Sequence, residues 1–268
     1  EPDFLIVDEQ HKQSIKARTG LLSPHTNLLE ATATAIPRTT ALAYYGHMDV
    51  SILKQCPVKK CITTHIVGPQ ERHRTMDYLK RVVEAGRQIA IVYPKVSTDD
   101  EQSQRKSVMT ALEQWNKWLP GEVAYVHGKM SDTEKLKTIE DFMNRRFKAL
   151  LATVLIEIGI DFQISAMLVV GPDRLGVAQL HQLRGRIARN GGSGRFLMYL
   201  ENSEAQPDVL NRLNLLVEHS DGFVLAEKDA DPSKYKGFLR LAYSYLAYYT
   251  QTTLNDKVKA NGYWKKLL

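Results

Sequence analysis

Two arginines three positions apart, Arg186 and Arg189, and two adjacent carboxylates, Asp8 and Glu9, are the groups in this 268-residue sequence best suited to chemistry on a phosphate. The carboxylates close the apolar run FLIV (4–7) in the stretch VDEQH. There Asp8 could hold Mg2+ through water and Glu9 could orient or deprotonate an attacking water. Gln10 and His11 would stand behind them and report the state of the phosphate. An ordinary strand-end turn explains the same residues. The arginines lie in QLHQLRGRIARNGG (179–192). Helical spacing puts Gln179, Gln182, Arg186 and Arg189 on one face, beside an apolar stripe of Leu180, Leu183 and Ile187. Two guanidinium groups one turn apart suit a phosphate that gains charge in a transition state. Gly185, read as a mid-helix residue, costs about 1 kcal/mol relative to Ala and predicts a close approach to the backbone. A solvated basic face would explain the arginines but not the Gln and the Gly.

Four further stretches carry weaker signals. Thr32, Ala33 and Thr34 in ATATAIPRT offer small hydroxyls that could bond a neighbouring carboxylate or imidazole, or form a plain turn. In TVLIEIGIDF (153–162), Asp161 after Gly159 could accept a ribose hydroxyl. Thr153, at a strand end, could meet a nucleic-acid phosphate. In YVHGKM (125–130), His127, Gly128 and Lys129 stand at another strand end, before a helix whose amides could meet a phosphate. A lone strand-end histidine is as readily structural.

The elements that must position these groups form an alternating pattern. Apolar runs at 4–7, 27–34, 88–95, 122–128, 148–156, 166–171 and 195–201 read as buried strands. Helices are expected at 36–46, at 131–146 behind a Ser131/Glu134 capping box, and from Gly176 to Ala188, closed by Asn190-Gly191. Strands joined by crossover helices predict an α/β fold on a parallel sheet. Only two strands fall before about residue 58, too few for a doubly wound sheet. Past Glu204 the chain turns helical and polar, and FLRLAYSYLAYY (238–249) reads as a packed helix.

Bulk properties narrow the class. The chain is 43% apolar and 25% charged, with a net charge of +6, which mildly favours a polyanionic partner. It has no membrane-spanning apolar run and no signal peptide, so the reading is a soluble, cytoplasmic protein. Cys56 and Cys61 cannot complete a zinc site by themselves and are expected to be reduced. The phosphate-cradling pattern G-x-x-x-x-G-K-[ST] is absent: Gly128-Lys129 is followed by Met130. The sequence therefore carries groups suited to a phosphate but no loop to cradle one, and it reads as a fragment of a longer protein.

In order, DEQH, TATAIPRT, HGKM, TVLIEIGID and QLHQLRGRIAR resemble motifs of the superfamily 2 helicases, and within them of the RecG branch. HMDVSIL (47–53) and DGFVLAEKD (221–229) match that branch too, so the resemblance spans roughly residues 4 to 229. It implies an ATP-dependent DNA helicase that remodels branched or double-stranded DNA in repair and recombination, acting as a monomer. It implies two RecA-like domains with ATP and Mg2+ between them. Residues 1–58 would be the C-terminal remnant of the first, 59–202 the second, and 203–268 a helical C-terminal extension. Asp8 and Glu9 match the Walker B pair, and Gln182, Arg186 and Arg189 complete the pocket, with Arg189 as the arginine finger. Gly159 and Asp161 match the nucleotide-touching segment, and His127, Gly128, Lys129 and Thr153 would reach the DNA backbone. Ala35 stands where the family has Pro, Ala188 where it has Gly, and Lys12-Gln13-Ser14 where it has Arg-Phe-Gly. DADPSKYKGFLR (229–240) departs from the family's Arg- and Gly-rich hairpin. Two other readings stay open: a non-catalytic DNA-binding module, in which Ala35 and Ala188 mark lost catalysis, and a translocase like the transcription-repair coupling factor.

Overall fold

The computed structural model describes residues 2–8, 25–31, 51, 53, 58–94, 101–128, 130–153, 163–202 and 205–229. The chain separates into two compact units, one of residues 52–220 and one of residues 1–51 with 221–268.

The 52–220 unit is built on six parallel strands: β3 (Lys60–Val67), β4 (Gln88–Val92), β5 (Val123–Val126), β6 (Ala149–Ala152), β7 (Ile164–Val170) and β8 (Gly192–Tyr199), in the spatial order β3-β8-β7-β4-β6-β5. The central strands are continuous apolar runs because helices cover both faces of a parallel sheet. QIAIV in β4 and ALLA in β6 are buried at every position. The edge strand β3, KCITTHIV, instead alternates exposed and partly buried residues along most of its length.

Helices α1 (Arg72–Glu84), α2 (Glu101–Trp118), α3 (Asp132–Met143), α4 (Val177–Gly185) and α5 (Pro207–Glu218) alternate with these strands or follow the last of them. In α1 the inward residues Thr75, Leu79, Val82 and Val83 follow a 3.6-residue period. Gly86 ends that helix at φ 74°, a left-handed conformation that L side chains rarely adopt, and its amide bonds the Val83 carbonyl at 2.9 Å. The expected capping box opens α3. The Glu134 amide donates to Ser131 Oγ at 3.3 Å, and the Ser131 amide donates to Glu134 Oε2 at 2.9 Å. The buried Gln88 side chain spans part of the core: its Nε2 donates to the Phe142 carbonyl and, at 2.9 Å, to the Phe147 carbonyl. It thereby joins the end of α3 to the turn before β6.

Helix α5 lies past the expected boundary at residue 202 yet belongs to the six-stranded unit. Its Leu213 and Leu216 are fully buried, so its apolar stripe completes that unit's core. In the other unit, β1 (Phe4–Asp8) and β2 (Asn27–Ala31) pair in parallel, Ile6 opposite Leu29. Helix α6 (Gly222–Asp229) also belongs to it. The expected helices at 36–46 and 238–249 lie outside the described residues.

Candidate functional site

The arginine segment does not form one helical face. Helix α4 starts with the Gly176 amide donating to Gln179 Oε1 at 3.0 Å, so Gln179 is engaged in capping its own helix. The helix ends at Gly185 with Arg186 as its C-cap. Ile187 then forms a parallel bridge to Ile164, and the Ala188 amide donates to the Ile164 carbonyl at 3.0 Å. Ala188 itself sits at φ 48°, a left-handed backbone that reverses the chain. The expectation of a helix through Ala188, with Gln182, Arg186 and Arg189 on one face, is therefore corrected. Gln182 is on the helix, Arg186 at its cap, and Arg189 on the turn that follows. The reason is tertiary: the amide of residue 188 finds its acceptor in β7 rather than one turn back. The turn closes with the Gly191 amide on the Ala188 carbonyl at 2.9 Å, while Asn190 Nδ2 donates to Gln163 Oε1 at 2.8 Å.

Gly185 is also corrected. It stands in the last helical turn, and a Cβ placed there would meet nothing within 4 Å. Its carbonyl accepts from Lys60 Nζ at 3.1 Å. The close approach occurs instead at Gly194, where a Cβ would lie 2.3 Å from Ile187 Cγ2 and 2.9 Å from the Ser165 carbonyl oxygen. The predicted stripe of Leu180, Leu183 and Ile187 is fully buried.

These bonds fix the location of Arg186 and Arg189. Ile164 opens β7 and Gly192 opens β8, so residues 186–192 cross the amino-terminal edge of the sheet. The stretch with Gly159 and Asp161 lies outside the described residues.

His127, Gly128 and Thr153 gather at the opposite edge. Val126 pairs with Ala152 at the carboxyl ends of β5 and β6, and the Thr153 amide donates to the Val126 carbonyl at 3.2 Å. The neighbouring β4 joins them, with the Tyr93 amide on the Ala152 carbonyl at 2.9 Å. The His127 ring stacks on Tyr125, centroids 5.9 Å apart and planes 18° off parallel. Burial raises the Tyr93 hydroxyl pKa above its usual value, and Trp115 Nε1 donates to that oxygen at 3.1 Å. The two edges are separated by β7, whose 7 residues span roughly 20 Å at about 3.3 Å each.

Asp8 ends β1 with its side chain exposed. Glu9, Gln10, His11, Thr32, Ala33, Thr34 and Lys129 lie outside the described residues. Among the described residues no three His, Cys, Asp or Glu side chains are grouped to hold a metal, and no helix is long and apolar enough to cross a membrane.

Sequence reasoning passed over Arg184. It is 5% exposed, and burial lowers its pKa from the usual arginine value. Its guanidinium donates to the carbonyls of Leu216 at 2.6 Å, His219 at 2.9 Å and Ser220 at 3.1 Å. The signal was spacing: Val177, Leu180 and Arg184 fall at i, i+3 and i+7, a buried stripe that ends in a charge.

Residues 73–191 match the family model of the helicase conserved C-terminal domain. Over 236 residues the chain is 33% identical to the ATP-dependent DNA helicase RecG of Thermotoga maritima, covering 84% of this chain and 29% of that protein. The RecG of Streptococcus pneumoniae is 33% identical over 232 residues, covering 84% and 34%. The chain thus spans about a third of the length of these relatives. A solved structure of RecG bound to a three-way DNA junction matches at TM-score 0.66 and 31% identity, over 84% of this chain and 29% of that one. Saccharomyces cerevisiae Dbp5 bound to RNA and ADP BeF3 matches at TM-score 0.54 and 17% identity, over 84% and 57%, a likeness of fold alone. The six-stranded unit is a RecA-like helicase C-terminal domain, and the chain is a relative of the RecG helicases.

Proposed function

We propose that this chain forms the C-terminal part of the motor of an ATP-dependent DNA helicase that remodels branched DNA. One observation supports this most. The turn bearing Arg189 is bonded to the start of β7, Ala188 to Ile164 and Asn190 to Gln163 just before it. Guanidinium groups on a backbone fixed in this way are pre-organised, so little reorganisation is needed as a phosphate gains charge.

In this proposal Arg189 meets the phosphate whose charge grows, Arg186 grips the same group, and Gln182 lines the pocket from α4. Gly159 and Asp161 touch the nucleotide. Asp8 would take Mg2+ through water and Glu9 would orient the attacking water. Gln10 and His11 follow the phosphate, and Thr32, Ala33 and Thr34 pass its state onward. A carboxylate together with phosphate oxygens is a common way to hold magnesium, and Asp8, exposed at the end of β1, has the chemistry for it. Bound ATP with magnesium supplies the anhydride whose cleavage drives the motor. His127, Gly128, Lys129 and Thr153 would hold the DNA backbone, so nucleotide chemistry and DNA grip work from opposite ends of one sheet.

Hydrolysis also needs a cradle for the phosphates, and the P-loop pattern is absent from these 268 residues. The test compares the full-length protein with this polypeptide by itself. The expected result is that the full-length protein hydrolyses ATP when a three-way DNA junction is added and that the 268 residues alone do not. Hydrolysis by the isolated polypeptide contradicts the proposal.

A further inference from the structure

Helix α1 gathers positive charge that the nucleotide reading does not use. From Arg72 to Arg87 five arginines and lysines stand against two carboxylates, Asp77 and Glu84. Arg74, Tyr78 and Arg81 fall at i, i+4 and i+7, one ridge beside the inward stripe of Thr75, Leu79, Val82 and Val83. The Arg195 guanidinium of β8 lies over the Tyr78 ring, 4.5 Å from its centroid. Arg74, Arg81 and Arg195 are all exposed, and among the described residues none of them forms an ion pair. Arg81 uses one donor on its own helix, Nε to the Asp77 carbonyl at 3.3 Å, and keeps the others for a ligand.

The sheet beside this ridge is open. Arg195 stands opposite Thr63 of the edge strand β3, and the two-residue period puts His65 on the same face as Thr63. Helix α1 packs on β4 and β7, and Thr63 and His65 stay exposed. Three guanidinium groups, a hydroxyl and an imidazole therefore share one flank, all of it inside the six-stranded unit.

We propose that this flank binds the sugar-phosphate backbone of DNA, a contact additional to the carboxyl edge at His127 and Thr153, and one that rests on the DNA reading above. Arg74 and Arg81 are seven residues apart, so at ~1.5 Å each they span about 10 Å, the axial rise of about three phosphates of one strand. The Tyr78 ring is covered by Arg195 and offers no open face for a base, so the contact is to backbone and carries no sequence preference. An acidic protein segment would need an apolar anchor as well. None of the large apolar side chains exposed among the described residues lies on α1, β3 or β8.

The test measures the affinity of the full-length protein for a three-way DNA junction as salt is raised, with Arg74→Gln, Arg81→Gln and Arg195→Gln combined. All three side chains are exposed, and Gln is a good helix former at 74 and 81. Loss of three phosphate contacts should make the log–log slope shallower by about 2.7 and weaken binding at low salt about tenfold or more, evenly across DNA sequences. A second variant removes the same charge elsewhere on the unit, with Lys117→Gln, Lys137→Gln and Arg145→Gln, all exposed, and its slope should change by less than about 1. A slope unchanged by the first variant overturns the contact, as do equal changes in the two variants, which would mean that only net charge matters. Binding of oligoglutamate that the first variant loses, with the DNA slope unchanged, overturns it as well and assigns the ridge to an acidic protein segment. Failure of the DNA reading looks different: the affinity of the unmodified protein itself would not respond to salt.

Discussion

Asn190 Nδ2 donates to Gln163 Oε1 at 2.8 Å, tying the turn that carries Arg189 to the residue just before β7. The bond fixes the arginine turn to the start of the strand that follows residues 153–162 in sequence. Both residues are exposed, and a single exposed hydrogen bond adds little to stability. Asn190→Ala is therefore expected to change the unfolding free energy by about 0.5 kcal/mol or less. It is expected to lower DNA-stimulated hydrolysis by the full-length protein about tenfold or more, through misplacement of Arg189. Unchanged hydrolysis would show that the bond positions nothing.

Ala188 occupies a left-handed conformation that glycine adopts freely, at φ 48° and almost fully buried. Ala188→Gly relieves about 1–2 kcal/mol of backbone strain but loses a buried methyl and adds chain entropy to the unfolded state. The expected result is a stability change of about 1 kcal/mol or less. Ala188→Val puts a branched side chain into that conformation and a full core, and is expected to cost about 3 kcal/mol in denaturant unfolding. Tolerance of Val would mean that the turn relaxes. The left-handed turn is retained with Ala, so this departure from the family residue does not by itself signal a lost site.

Glu134 has its pKa lowered, first by the side-chain hydrogen bond from Ser131 and then by the Ser131 amide. A carboxylate held below its unfolded value stabilises the fold fully above the ordinary 4.5 and loses that contribution as pH falls through the folded value. The first turn of α3 is thus expected to fray in acid below the usual carboxylate range. Glu134→Gln keeps the reach to Ser131 but removes the titration. Amide exchange of residues 131–135 across pH checks this, and identical acid fraying in the Gln variant would contradict it.

His127, Gly128 and Thr153 share the carboxyl edge of β5 and β6. If they contact DNA phosphates, affinity for a junction falls steeply with salt, by a log–log slope of about −0.9 for each phosphate neutralised. Thr153→Ala should weaken binding evenly across DNA sequences, without changing sequence preference. Affinity that is flat from low to moderate salt would remove the backbone-gripping role from this edge.

Much of this was legible in the residues because local rules and tertiary demands agreed. QIAIV and ALLA are too apolar to lie anywhere but between helix layers, and the Ser131/Glu134 spacing formed the capping box it predicts. The end of α4 was not legible. Gln182, Arg186 and Arg189 keep helical spacing whether or not the helix continues, and what stops it is a bond from Ala188 to Ile164, distant in sequence. Arg184 was hidden for a related reason: an arginine among arginines reads as surface, and only the carbonyls at the end of α5 reveal it as buried. Helix α1 shows the reverse case, since its stripe of Thr75, Leu79, Val82 and Val83 is present in the sequence but diluted by charged neighbours.

The measurement that bears most directly on the account is ATP hydrolysis by the full-length protein with and without Arg189→Ala, at saturating three-way junction. A guanidinium that stabilises phosphate charge in the transition state is worth about 10³–10⁵ in rate, so the variant should lose at least about a thousandfold while its unfolding curve stays unchanged. Arg189→Lys should not restore the rate, because an ammonium lacks the planar fork. Hydrolysis within a few-fold of the unmodified protein would mean that the arginine turn at the amino edge is not where this motor meets its nucleotide.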